Sequence, residues 1–462
     1  MQSHSYRFDG YGWFKFYGWT KFYRWPRFSR RRRLMVILLT GANGFLGKHL
    51  AHSLTTAGHE VVAAVRDPAS CDLQRCIQVD FTRDVDVQTW LPRLQGVDVV
   101  INAVGILREH DSQTFALLHS KAPRALFAAC AEAGIQRVIQ ISALGADEQA
   151  QSRYHRSKKE ADDFLASLPL QSVIVQPSLV FGSGGASAQL FCLLASLPLI
   201  ALPGGGRQRV QPVHVEDAVA AVLALLREPL APGTRLPVVG PQALTLRDFL
   251  ATLRRSLGLG QGCFLNLPLW LSRFAARFGD HWRGSLLDSE TLQMLQRGNT
   301  GDATALTALL GRTPRLAEAF IDAREAPALR LQAQLGWLLP LLRLSIAVVW
   351  IVTGIVSLGW YPVEQSYALL ARVGISGALA PVMLYGAALL DIVFGLATLL
   401  LRQRRWLWYA QIAVIVFYTL VITWRLPEFW LHPYGPLLKN LPMLAAIWML
   451  LELEKDHGLH HR

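Results

Sequence analysis

The chain has 462 residues, 52% of them hydrophobic, and a formal net charge of +13. Nine Lys/Arg against one Asp fall in residues 1–34, so the rest of the chain carries only +5, too little to argue for a nucleic-acid partner. Five cysteines (Cys71, Cys76, Cys130, Cys192, Cys263) show no paired metal-ligand spacing, so no metal site is expected, and Cys71 and Cys76 read as reduced thiols rather than a redox pair.

The leading segment repeats an aromatic-basic hexad three times over Tyr11 to Phe28, ahead of Ser29 and the run Arg30 to Arg33. Such a repeat cannot bury a core alone, and no apolar stretch follows its charges as in a signal peptide. Residues 1–34 therefore read as a low-complexity extension outside the fold.

Met35-Val36-Ile37-Leu38-Leu39 reads as a first strand running into Thr40-Gly41-Ala42-Asn43-Gly44-Phe45-Leu46-Gly47. A helix is expected from Lys48 to Ala57 and a second strand over Glu60 to Val65. Strand, glycine turn and helix in that order make a dinucleotide site. Gly41 permits the turn, Gly44 lets backbone N–H groups approach a pyrophosphate, Gly47 allows close helix packing, and the helix N-terminus favours negative charge. The second strand ends in Val65-Arg66-Asp67. Arg66 suits the 2′-phosphate of NADP, while Asp67 beside it argues for NAD.

The glycine spacing is Gly-x-x-Gly-x-x-Gly. Further along come Asn102-Ala103-Val104-Gly105, a strand ending on Ser142, Tyr154-His155-Arg156-Ser157-Lys158, Gln176-Pro177-Ser178-Leu179-Val180-Phe181-Gly182, and Gln211-Pro212-Val213-His214-Val215-Glu216-Asp217. Together these resemble the extended and atypical branches of the short-chain dehydrogenase/reductase superfamily, NAD-dependent epimerase/dehydratase-like, from Met35 to about residue 325. The wording Ile141-Ser142-Ala143-Leu144-Gly145-Ala146-Asp147 is most similar to bacterial relatives of the nucleotide-binding accessory subunit of respiratory complex I.

The resemblance implies an α/β fold: a Rossmann-type doubly wound parallel sheet over residues 35–240, with a small substrate lobe over 241–330. It implies cofactor contacts from Gly41, Asn43, Gly44, Phe45, Leu46, Gly47, Arg66, Asp80, Asn102, Ala103, Gly105, Lys158 and Pro177, with NADP as cofactor and NAD as the alternative. Asp80 reads equally as a turn cap before Thr82. Ser142, Tyr154 and Lys158 would form the catalytic triad. Tyr154 and Lys158 lie four apart on one helical face, so the ammonium is expected to lower the phenol pKa and make Tyr154 a general acid/base, with Ser142 bonding the substrate oxygen.

In the lobe, Thr245 and Asp248 read as a capping box at a helix start. Leu265 to Phe278 is strongly apolar and contains Pro268 and Trp270. That stretch suits a lipophilic substrate or membrane contact, or simply packs as an amphipathic lobe.

Near residue 338 the composition changes to long apolar stretches. Leu338 to Leu358, Leu379 to Leu401, Trp406 to Trp424 and Pro436 to Leu451 read as four membrane spans within residues 338–455, with Trp and Tyr at their ends. Arg402-Gln403-Arg404-Arg405 between the second and third spans is expected on the cytoplasmic side, which with an even count places the nucleotide-binding domain and the tail there too, at a bacterial inner membrane. Trp350 to Ser357, Leu389 to Gly395 and Tyr434 to Pro442 resemble the DoxX-like four-helix membrane family. Asp391 lies mid-span and should find a partner among Arg343, Arg425, Lys439 and Tyr418, or line a quinone or proton site with Gln411 and Lys439.

Two functions remain open. One is a membrane-anchored NADP(H)-dependent oxidoreductase or epimerase acting on a lipophilic or quinone-related substrate. The other is a non-catalytic NADPH-binding scaffold or sensor for a membrane redox assembly.

Overall fold

The computed structural model describes residues 34–228, 230–281, 288–433 and 435–454. The aromatic hexads and the tail beyond Glu454 lie outside the described residues. Seven strands build one parallel sheet: β1 (Val36–Thr40), β2 (Glu60–Val65), β3 (Arg75–Gln78), β4 (Val99–Asn102), β5 (Arg137–Ile141), β6 (Ser172–Pro177) and β11 (Thr234–Val238), ordered β11-β6-β5-β4-β1-β2-β3. Its central strands are nearly continuous Val, Ile, Leu and Ala because both faces are covered.

Successive residues alternate between the two layers. Ile37 and Leu39 pack on one side with α1 (Phe45–Thr56), α6 (Val215–Leu225) and α10 (Thr304–Leu310). Leu38 packs on the other with α2 (Val87–Trp90), α3 (Ala122–Glu132) and α4 (Arg153–Ser167). Strand order reverses between β1 and β4, and the crevice outside the carboxyl ends of those strands is where such sheets bind ligands.

The lobe carries three small strand pairs: β7 (Val180–Phe181) with β10 (Val213–His214), β8 (Leu199–Pro203) with β13 (Cys263–Leu267), and β9 (Arg209–Val210) with β12 (Leu244–Thr245). Its core gathers Phe181, Phe249 and Phe320 between α5 (Ala186–Ser196) and α7 (Leu246–Ser256). The expected cap on α7 is present: Thr245 Oγ1 accepts from the Asp248 N–H at 3.0 Å and donates to its carboxylate. After β13 come α8 (Leu269–Gly279) and α9 (Ser289–Arg297).

The C-terminal half comprises α11 (Ala326–Ile355), α12 (Val363–Val373), α13 (Leu379–Leu400), α14 (Arg405–Arg425) and α15 (Asn440–Leu453). Helical segments Ala326–Trp360, Leu379–Leu400 and Arg405–Arg425 are long and apolar enough to cross a bilayer. The fourth expected helix is present and shorter than expected: among the described residues α15 has 14 residues, about 21 Å at 1.5 Å per residue. The turn over residues 435–439 delays its start. The first helix begins earlier than expected, and Ala326 and Ala333 are buried in the lobe core.

Close helix contact in this half rests on glycines. A Cβ at Gly354 would meet the Ala388 carbonyl oxygen at 2.6 Å, and one at Gly395 the Ala347 oxygen at 2.8 Å, so α11 and α13 approach backbone to backbone. Of the partners expected for Asp391, Arg343 is corrected. Arg343 pairs instead with Glu454 at 2.7 Å, which in turn accepts from Trp408 Nε1 at 2.9 Å. Asp391 is buried on α13 with Oδ1 unbonded among the described residues, while Gln411 donates to Thr398.

Candidate active site

Gly41, Gly44 and Gly47 take the places the strand-turn-helix reading requires. Gly41 has φ +70°, and a Cβ there would lie 2.9 Å from the Ala103 carbonyl carbon. At Gly47 a Cβ would come within 2.0 Å of the Gly41 oxygen, so α1 can rest on the turn only with glycine there. Gly44 caps α1 without a side-chain hydrogen bond, and the first turn holds no acid. The N-terminal N–H groups thus face the crevice with their positive end uncompensated, which fits a pyrophosphate. Phe45 backs this turn, its ring 2.9 Å from where a Gly185 Cβ would sit.

At the tip of β2, Asp67 turns its carboxylate back to cap the Ala69 N–H at 3.0 Å. Arg66 is exposed there, and Asn43 donates to Ser70 at 3.2 Å, joining the glycine turn to the 67–70 loop. Asp80 accepts from the N–H and hydroxyl of Thr82 at 2.9 and 2.7 Å; burial raises its carboxyl, but these bonds together with the Arg83 and Arg66 charges hold it below the usual range. Cys71 and Cys76 form a disulfide across the loop leading to β3, which corrects the expectation of free thiols. The two cysteines are five residues apart, and that spacing alone does not report that they meet.

Asn102 has a structural part beside the cofactor contact expected of it. It is fully buried, accepts from Thr40 Oγ1 at 2.6 Å and donates to Gln140 at 2.7 Å, knitting β1, β4 and β5 together. Its Oδ1 also accepts from the Val104 N–H at 3.3 Å, so it shapes the loop through Ala103 and Gly105. Pro177 closes β6, its carbonyl accepting from the Leu144 N–H at 2.9 Å.

Ser152 caps α4, accepting from the His155 N–H, and thereby starts the helix that carries Tyr154 and Lys158. Lys158 is buried, with its ammonium donating to Val104 O at 3.0 Å and Ile141 O at 3.2 Å, so it bridges the exits of β4 and β5. A Cβ at Gly105 would sit 3.1 Å from Nζ. Burial pulls the Lys158 pKa down to about 8, against the opposing pull of Asp162.

Tyr154 is enclosed by the rings of Phe115, His119 and His155, with centroids 5.2 to 5.9 Å away. Burial, aided by the Asp162 charge, pushes its phenol up to about 12. The expected lowering by Lys158 is therefore corrected for this arrangement, because burial and a nearby carboxylate both raise the phenol. The Ser142 hydroxyl donates to Asp162.

Asp162 is the residue that sequence reasoning missed. It is fully buried on α4, one turn beyond Lys158, and burial pushes its pKa up to about 6. The available signal was the continuation of the motif to Tyr-x-x-x-Lys-x-x-x-Asp, a third polar side chain on the same helical face. His119 was missed too: its Nε2 accepts from the Ile106 N–H at 3.0 Å, and burial drives its pKa down to about 2, so it stays neutral. Ser142 is hydrogen-bonded to Asp162, Lys158 feels the charge of the same carboxylate, and Tyr154 lies one turn before Lys158 on α4.

Residues 37–238 match the NAD dependent epimerase/dehydratase family, and residues 347–448 match the DoxX-like family. The chain is 32% identical over 198 residues to the ceramide reductase of Caulobacter vibrioides, covering 42% of this chain and 62% of that one. It is 27% identical over 251 residues to the mitochondrial NADH dehydrogenase (ubiquinone) 1 alpha subcomplex subunit 9 of Mus musculus, covering 51% and 64%. The chain thus spans less than two thirds of either relative. A nucleoside-diphosphate-sugar epimerase from Staphylococcus aureus has the same fold over 62% of this chain and 99% of its own, with TM-score 0.51 and 16% identity. The chain joins an NAD-dependent epimerase/dehydratase domain to a DoxX-like domain.

Proposed function

We propose that this protein is a membrane-anchored, NADP(H)-dependent oxidoreductase or epimerase acting on a carbonyl or carbinol carbon of a lipophilic substrate. The observation that carries the reading is Lys158: a buried ammonium fixed by the Val104 and Ile141 carbonyls at the exits of β4 and β5, one helical turn from Tyr154. A relative named for reducing ceramide supports a lipid substrate. The Arg402 to Arg405 loop supports a cytoplasmic placement of the nucleotide-binding domain at a bacterial inner membrane.

The nicotinamide would supply hydride transfer to or from the substrate carbon. Around it, Gly41, Gly44 and the N-terminus of α1 would hold the pyrophosphate, and Arg66 with Asn43 the adenosine phosphate. Tyr154 would deliver a proton to the substrate oxygen or remove one from it. Lys158 keeps its third N–H for a ribose hydroxyl or the developing phenolate. Asp162 holds the Ser142 hydroxyl in place and supplies the counter-charge that keeps Lys158 protonated.

A second reading is favoured by a specific observation. The Tyr154 phenol is held near 12 and the Ser142 proton is committed to Asp162, a state suited to an NADPH-binding scaffold of a membrane redox assembly. Complementation of a deletion strain separates the two. Failure of Tyr154→Phe supports the enzyme; full complementation by Tyr154→Phe together with failure of Gly44→Val supports the scaffold. Mass spectrometry of ligand retained by detergent-purified protein would name the substrate class.

A further inference from the structure

Helix α8 is amphipathic in an unusual sense. Its protein-facing positions are the small residues Ser272 and Ala276, both fully buried, whereas Trp270, Phe274 and Phe278 stand outward at 70%, 58% and 65% exposure. These three recur every four residues and form one stripe, with Phe274 and Phe278 in contact at 4.9 Å. Arg273 and Arg277 flank the stripe, and the helix contains no acid. Among the described residues of 34–325, ten large apolar side chains are exposed, and six lie on α8 and the β8–β13 pair beneath it. A folded domain does not present three large aromatics on one helix face without a partner for them.

We propose that α8 is a docking helix that lies in the lipid headgroup layer of the same bilayer that the C-terminal half crosses. Two features select lipid as the occupant. The first is continuity: β13 pairs with β8, β8 follows α5, and α5 packs on α11, with Leu193 occupying the space beside Gly336 on the first spanning helix. The second is chemistry: an aromatic stripe with flanking arginines matches the interfacial zone of an anionic leaflet, where rings sit at the acyl boundary and guanidinium groups reach phosphates. Two copies meeting through this face would bring their arginines together without an acid on the helix to compensate.

The inference rests on the spanning assignment of the C-terminal half, and the test reports the two separately. In full-length protein carrying Cys263→Ser, a spin label is placed in turn at Phe274→Cys on α8, Val393→Cys on the outer face of α13, and Arg83→Cys on the exposed surface of the nucleotide-binding domain. Each is reconstituted at one copy per nanodisc of mixed phosphatidylcholine and phosphatidylglycerol, and collisions with oxygen and with a water-soluble nickel chelate are measured. The expected result is loss of nickel accessibility with retained oxygen accessibility at Phe274 and Val393, while Arg83 stays open to nickel. If the Phe274 label stays open to nickel while Val393 reports lipid, docking is overturned alone. An aqueous Val393 label overturns the spanning assignment and docking with it. Protection of Phe274 from both probes means protein covers it, which also overturns lipid docking.

Discussion

The two halves of the chain distribute polarity in opposite senses. In the nucleotide-binding half, apolar side chains fill both layers of the sheet, and buried polar groups collect at the carboxyl ends of β1, β4 and β5. In the C-terminal half, Leu389, Val393, Leu396 and Leu400 of α13 face outward, while Asp391 and Thr398 of the same helix are buried. Both follow from one rule applied in two solvents: each half turns toward its surroundings the side chains those surroundings dissolve. Close backbone approach divides likewise. Gly47 opens room beside a ligand crevice, whereas Gly354 and Gly395 let two helices touch.

The sharpest test of whether polar burial in the first half serves chemistry is Tyr154→Phe. Turnover should fall by about 10² to 10⁴ with NADPH affinity nearly unchanged, as read by steady-state kinetics beside calorimetry. An unchanged rate would leave the cluster structural.

The same substitution made in both halves tests their opposed polarity. Val393→Lys, on the outer face of α13, should cost roughly 2.5–3.5 kcal/mol of insertion, about a hundredfold in the inserted fraction in a translocon assay. Val85→Lys, on the water-facing surface, should shift thermal stability by no more than about 0.5 kcal/mol. Comparable losses at both sites would contradict the membrane assignment.

Gly47→Val presses a side chain into the Gly41 carbonyl, and overpacking of about 1–3 kcal/mol predicts a roughly 10- to 100-fold loss of dinucleotide affinity with α11, α13 and α14 still inserted. The pH profile follows from two coupled groups. Below about 6 Asp162 gains a proton and Lys158 loses its counter-charge; above about 8 Lys158 loses its own proton. Turnover should therefore be greatest between those values and fall on either side. Asp162→Asn should erase the acidic limb and move the basic limb to lower pH, an effect a purely structural aspartate would not produce. Smallest is Arg66→Ala, expected to reduce the preference for NADPH over NADH by about tenfold while leaving NADH affinity little changed, as measured by fluorescence titration.

Much of this was legible in the residues because the signals are local. Strand β2 lies where its Val and Ala run places it, Thr245 and Asp248 cap α7 as written, and the three glycines sit where a strand-turn-helix demands. What escaped depends on chain brought in from elsewhere. Asp162 matters because the exit of β5 places Ser142 against it, across 20 residues of sequence. The phenol of Tyr154 is raised by a cage that includes Phe115 and His119, which arrive from a π-helical turn and the residue before it. The apolar run after Pro436 has the composition of a span, yet a turn uses up its first residues and leaves α15 short.

Helix α11 is shared by the two halves without a joint. Ala333 is buried in the lobe core and Ile346 in the bundle, about 20 Å further along one helix, and only Pro340 removes a backbone donor between them. A stay of this kind fixes the height at which the crevice rides over the plane that the helix enters. For the lipophilic substrate proposed above, encounter would then be a search in two dimensions, governed by lateral diffusion and by the mole fraction of that substrate among the lipids. Dilution of the surrounding water would leave that rate untouched, whereas dilution of the substrate with inert lipid would lower it in proportion.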